Sequence, residues 1–219
     1  MMRKPFATLL VITALSVSVL CCKNKAKEAE TTEAEMPATA EATAESYKAN
    51  VDASTIEWKG FKPTGEHYGT IDIESGTFDV TNGEVVGGSF VIDMNSIVVS
   101  DLPADDEKNT KLTGHLKSDD FFDVEKYPNA VFTITGAENG EGKTMLSGNL
   151  TLKDAKNNIT FPVTVSQNGD ELTLESENFT IDRSKWNVKY GSKSFFDDLG
   201  DKFINDDIEL KVTVKATKA

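Results

Sequence analysis

The chain has 219 residues, 36 acidic against 23 basic, and a formal net charge of −13 at pH 7. Such a surface repels nucleic acid and anionic headgroups, so neither is expected as a direct electrostatic partner. The two cysteines, Cys21 and Cys22, are adjacent and lie near the start, which excludes a disulfide framework, a cysteine-rich metal site and a cysteine nucleophile from everything that follows.

In chain order, Arg3 and Lys4 precede an uncharged run from Pro5 to Leu20 that ends at Cys21-Cys22. The run is diluted by Thr and Ser and falls short of the roughly 20 apolar residues that a spanning helix needs. A basic start, an apolar middle and a cysteine directly after it have the form of a lipoprotein signal, in which the thiol is acylated before the peptide is cut on its N-terminal side. Cutting before Cys22 leaves the small Cys21 beside the cut, whereas cutting before Cys21 leaves Leu20. Cys22 is therefore the first choice for lipidation and Cys21 the second. Residues 1–21 are expected to be the signal peptide, and the N-terminal lipid is expected to hold the protein at the cell envelope, on its periplasmic face or at the cell surface.

Residues 22–50 change to Ala, Thr, Glu and Lys with no apolar stripe to dock, which predicts a solvated acidic tether. Residues 51–219 are long enough for one domain with a sizeable core. There the dominant period is two. Short candidates come first: Thr55–Phe61 with Trp58, Thr70–Glu74, and Thr77–Thr81. Phe90-Ile92-Met94, Phe132-Ile134, Leu146 to Leu152, Ile159 to Val165 and Ile208 to Val214 then alternate with polar residues, as half-buried strands do. Ser75-Gly76, Asn82-Gly83, Asn139-Gly140, Asn157-Asn158 and Asn168-Gly169 are read as the intervening turns. Between Glu171 and Arg183, Leu172 and Leu174 take one parity while Phe179 and Ile181 take the other, which predicts a bulge near Ser176 to Asn178.

Alternation stops between Asp101 and Tyr127. The four-residue spacing of Leu112 and Leu116 predicts a helix that ends by Asp123, and Ser192 to Asp206 is a second irregular stretch with a turn or two of helix. The whole is an all-β, antiparallel meander with one or two short helices. A closed eight-stranded barrel is favoured over a two-sheet sandwich, because nearly every strand has one apolar face only. Such a barrel is just wide enough to be filled by side chains or to hold one small ligand, and periodicity alone leaves both open.

Chemistry is sparse. His67 and His115 are the only histidines, nothing in their spacing specifies a metal site, and no metal or cofactor is expected. No phosphate-cradling loop, nucleophile elbow or HExxH is present, and the carboxylates lie mostly in surface-like runs, so the chain does not read as an enzyme.

One run is specific. His115-Leu116-Lys117-Ser118-Asp119-Asp120-Phe121-Phe122-Asp123, followed by Tyr127-Pro128, Phe132, Gly148 to Leu152 and Ile181-Asp182-Arg183-Ser184, resembles the YceI-like family, the lipocalin-like polyisoprenoid-binding proteins of bacterial envelopes. The chain departs from that pattern at Leu112-Thr113-Gly114, where the family commonly has an Arg-Asp pair before the histidine. It departs again at Trp186-Asn187, where Phe-Gly is common, and at Asp154 to Asn158. The resemblance implies a lipocalin-like barrel whose lumen takes a long apolar chain such as a polyisoprenoid, an isoprenoid quinone or a fatty-acid derivative.

By parity that lumen would be lined by Trp58, Phe90, Ile92, Phe132, Ile134, Leu150, Phe161, Phe179 and Ile181. Phe121, Phe122 and Trp186 would stand near its mouth, and His115 and Arg183 would make headgroup or structural hydrogen bonds there, the structural role being preferred. The competing reading is a filled-core barrel serving as a stress-response or protein-interaction module without a lipid ligand. The sequence leaves oligomeric state open, a homodimer included.

Overall fold

The computed structural model of the chain describes residues 26–140 and 142–219. The expected signal peptide, Cys21 and Cys22 lie outside the described residues. The strands are β1 (Lys27–Glu28), β2 (Glu30–Glu33), β3 (Glu45–Ala49), β4 (Thr55–Lys62), β5 (Gly65–Thr81), β6 (Glu84–Val99), β7 (Asn129–Gly140), β8 (Lys143–Leu152), β9 (Ala155–Asn168), β10 (Glu171–Ser176), β11 (Phe179–Asp182) and β12 (Asp207–Lys218). Among the described residues one α-helix, α1 (Glu107–Lys117), interrupts the meander between β6 and β7.

Antiparallel pairing runs from β4 through β5, β6, β7, β8, β9 and β10 to β12, and β12 pairs back onto β4. The sheet closes into a ring of eight strands, as the one-sided alternation predicts. Asn82-Gly83 makes the β5–β6 hairpin with both residues at positive φ, the geometry whose twist matches the flanking strands. Two other expected turns lie inside strands. Gly76 stands in β5 because a Cβ there would come within 2.1 Å of the Phe90 ring, so its glycine serves close packing rather than chain reversal. Asn157-Asn158 lies in β9, and the reversal comes earlier, where Leu152 pairs Ala155 around Lys153 at positive φ.

The predicted bulge is present. Glu175 pairs Thr213 and Phe179 pairs Leu210, so the three residues Ser176 to Asn178 oppose only two on β12. The Val212 N–H donates to Ser176 Oγ across this step at 2.8 Å. Leu172, Leu174, Phe179 and Ile181 are all buried as a result, despite their opposite parities.

The bulge also explains the largest departure from the sequence reading. β10 covers β9 only from Val163 to Asn168, and the stretch Asn157 to Thr160 is paired on that side by β2, while β1 runs parallel to β11. The acidic leader therefore straps the seam that the parity change opens. Beyond β2 the Glu35 N–H donates to Asn149 Oδ1 (2.9 Å), Asn149 Nδ2 donates back to the Glu35 carbonyl (2.7 Å), and the Ala38 N–H donates to the Ile134 carbonyl (3.0 Å). Asn158 supports Asn149 at 3.2 Å and also donates to Thr135 Oγ1. β3 then pairs both β5 and β12, with Tyr47 wholly buried. The tether expected over 22–50 is thus corrected from residue 27 onward. Backbone pairing needs no apolar stripe, so the periodicity of the leader does not reveal it.

α1 starts at Asp106, whose carboxylate accepts from the Lys108 N–H at 2.8 Å, with Glu107 in its first turn and His115 and Lys117 in its last. Asn109 anchors it to the end of β6 by donating to the carbonyls of Val99 and Leu102. Leu116 is buried and Leu112 half-buried against the barrel, which places the helix over one end of the ring.

Candidate functional site

Inside the ring lies a cavity of about 240 Å³. A water needs only about 10–15 Å³ measured in the same way, so the space suits a ligand of many atoms. Its wall is built from inward-facing strand residues, among them Phe78, Phe90, Leu146, Leu174, Leu210 and Val214. Phe161 and Phe179 stack at 4.2 Å between centroids across β9 and β11, and Phe132 tilts against Phe161 at 5.9 Å. Gly148 makes room for this: a Cβ there would come within 2.2 Å of the Phe132 ring. Paired with Gly76 beneath Phe90, it lets two aromatic side chains lie flat on the sheet instead of filling the lumen.

The cavity occupies one end only. Tyr47, Val80, Ile134, Val163 and Leu172 are at most 2% exposed and do not border it; they pack the end where β5 turns into β6 and β9 into β10. Of the nine residues expected on the lumen wall, Trp58, Phe90, Ile92, Phe132, Leu150, Phe161, Phe179 and Ile181 border the cavity and Ile134 does not. Period two tells which face a residue takes, not its depth along the barrel, and Ile134 belongs to the packed end.

The other end is the mouth. It is bordered by Leu112, His115 and Leu116 of α1, by Phe121 and Phe122 after it, by Lys62 and His67 at the β4–β5 turn, and by Ile204 and Asn205 before β12. His115 Nε2 lies 3.2 Å from Asp120 Oδ2, and its ring meets Tyr190 edge-on at 4.6 Å and Phe121 at 5.1 Å. His67 Nδ1 lies 2.8 Å from Asp101 Oδ2, and the Tyr68 N–H donates to Asp101 Oδ1. Burial raises the Asp101 pKa, but the hydrogen bonds from Tyr68 and His67 and the imidazole's charge outweigh it and hold the carboxyl below its ordinary value. Among the described residues no group of three or more His, Cys, Asp or Glu is placed to hold a metal ion.

Arg183 is 1% exposed and takes the structural role. Nε donates to the Asn205 carbonyl (3.0 Å), Nη1 to that of Val188 (2.7 Å) and Nη2 to that of Ile204 (3.1 Å), while Asp206 Oδ1 stands 3.4 Å from Nη2. Burial pushes the guanidinium down from its ordinary pKa, and Asp206 and Asp182 oppose that shift. Three of its five N–H donors tie the irregular stretch 188–206 over the mouth and Nη2 also faces Asp206, which gives it a structural role there. Trp186 also differs from expectation. It is fully buried in the 3₁₀ turn Arg183–Trp186, its indole N–H donates to the Leu150 carbonyl at 2.9 Å, and it does not border the cavity.

The sequence reading missed several lining residues. Met94, the run Ile208 to Val214 and Lys62, on the parity of Trp58 at the last position of β4, share the parity of chosen neighbours and could have been added; Ile204 and Asn205 lie in a loop, where no period marks them. Trp58 carries the remaining polar feature of the wall: its indole N–H is buried and finds no acceptor among the described residues. An unmet buried donor costs about 1–3 kcal/mol.

A YceI-like domain matches residues 47–216. The chain belongs to the YceI-like family. The match begins inside β3, in agreement with that strand's pairing to β5 and β12. Among solved structures, Burkholderia cenocepacia BcnA is similar at 23% identity and a TM-score of 0.56, covering 77% of this chain and 99% of that one. A polyisoprenoid binding domain from Saccharophagus degradans, implicated in plant cell wall breakdown, is similar at 15% identity and a TM-score of 0.57, covering 79% and 98%. A Campylobacter jejuni YCEI protein variant, solved with a monobromobimane guest, matches at 23% identity and a TM-score of 0.50, covering 68% and 80%. At these identities the likeness establishes the shared fold. None of the curated proteins matches the chain.

Proposed function

We propose that this YceI-like barrel binds the long apolar chain of a lipid in its lumen, without catalysis, and carries or sequesters it at the cell envelope. The observation that carries this reading is the one-ended cavity, packed shut at the β5–β6 end and walled by Phe, Leu and Ile up to the mouth under α1. Affinity then comes from burial, at about 0.8 kcal/mol per CH₂ removed from water, and needs no reactive group. A polyisoprenoid, an isoprenoid quinone and a fatty-acid derivative all offer such a chain, and the likeness to a polyisoprenoid binding domain supports the class. A filled-core module accounts for the packed end but not for the hollow one.

In the same proposal Cys22, or Cys21 in its place, carries the lipid anchor. Because the chain is already paired at Lys27, only a few residues separate that anchor from the barrel wall. The barrel then works against the membrane rather than at the end of a long leash. Native mass spectrometry of protein purified without detergent tests the ligand. A co-purified long-chain lipid that organic solvent extracts is expected; a bare chain that takes up no lipid on incubation contradicts the proposal.

A further inference from the structure

We infer that the ligand's head, and not only its chain, is recognised: the lumen selects amphiphiles with an acidic oxygen head, a carboxylate or a phosphate, seated between Trp58 and Lys62 on β4. This rests on the lumen being the lipid site. Six polar residues border the cavity, and three of them have their polar groups engaged: His67 by Asp101, His115 by Asp120, and Arg183 by three carbonyls and Asp206. Trp58 is 9% exposed, and its N–H meets no acceptor. Lys62 forms no ion pair among the described residues, although acidic side chains outnumber basic ones across the chain. Asn205 engages through its backbone, accepting from Arg183 and donating to the Phe61 carbonyl.

Geometry joins these donors. Trp58, Gly60 and Lys62 share one parity of β4 and all border the cavity, with Trp58 and Lys62 about 13 Å apart along the strand at its usual rise. Gly60 lies between them, and a Cβ built there would meet nothing within 4 Å. The open space at Gly60 thus lies between an unmet donor, whose nitrogen the folded chain closes off from the cavity, and an unpaired ammonium at the mouth. A pure hydrocarbon leaves both unanswered. An oxygen acceptor satisfies the indole once the ring turns its N–H toward the space at Gly60, and an anionic one also attracts the lysine.

The test compares dodecane, dodecanol, dodecanoate and dodecyl phosphate by calorimetric titration on the folded protein, its Trp58→Phe variant and its Lys62→Met variant. In the parent protein, dodecanol should bind about tenfold more tightly than dodecane, and both anions more tightly again. Trp58→Phe should bring the ratio of dodecanol to dodecane close to one, and Lys62→Met should abolish the preference for anions over dodecanol. The two anions, compared with each other, separate a fatty-acid head from a phosphate head. Nuclear magnetic resonance supplies a test without substitution: dodecanoate should shift the Trp58 indole proton while dodecane does not, with Trp186, already bonded to Leu150, as the internal reference. If dodecane binds but ratios stay the same in both variants and the Trp58 proton is unmoved, head recognition is wrong. If no probe binds at all, the lumen reading itself fails.

Discussion

The two ends of the barrel are made from the same alternating strands, yet one is solid and the other hollow. At the solid end Tyr47, Val80, Ile134, Val163 and Leu172 meet at near-zero exposure, and side-chain packing supplies the cohesion. At the hollow end Gly76 and Gly148 let Phe90 and Phe132 lie back on the wall, and polar ties replace packing: Arg183 to three carbonyls, Trp186 to Leu150, His67 to Asp101 and Asn109 to the end of β6. A cavity can be kept because its rim does not depend on the atoms missing from its centre.

Breaking the polar rim should have the largest effect. Arg183→Met strands three carbonyls and Asp206, and a loss of about 3–5 kcal/mol is expected from urea unfolding, with amide exchange rising first in 188–206. The solid end comes next: Ile134→Ala should cost about 2–5 kcal/mol by leaving a void in a close-packed site. Ile92→Ala, on a wall that already borders space, should cost clearly less, and equal losses at the two positions would erase the distinction between the ends. On the exterior, Asn149→Ala removes both amide bonds to Glu35 and should cost about 1–3 kcal/mol, with amide exchange increasing over residues 30–38 and not in β5 or β6.

The smallest effect is a pH dependence at the rim. The Asp101 carboxyl has a lowered pKa in the folded state, so its contribution is complete above the unfolded value near 3.9 and is lost as the pH falls through the lower, folded one. The stability difference between the parent protein and Asp101→Asn should therefore be present at about pH 6 and shrink towards about pH 3.

Much of this contrast was legible in the strands and little of it in the connections. Parity placed Trp58, Phe90, Phe132 and Phe161 on the inner face, and the parity change between Leu174 and Phe179 located the bulge. Depth was not legible, which is why Ile134 was expected on the wall of the lumen. Gly76 and Asn158 carry turn-like residue types for other reasons, a flat-lying phenylalanine in one case and an amide beneath the leader in the other. The leader itself docks through backbone groups, which every sequence has. Arg183 was singled out as polar and near the mouth, but that three of its donors go to backbone carbonyls follows only from the path of 188–206.

The central claim is that the hollow end is a chain-binding site, and lumen filling tests it most directly. Uptake of a fluorescent long-chain probe should be saturable at about one chain per barrel in the parent protein and strongly reduced in Ile92→Trp, while urea unfolding shows that variant to be close to parental stability. No saturable uptake by the parent, or equal uptake by a folded Ile92→Trp variant, would contradict the account.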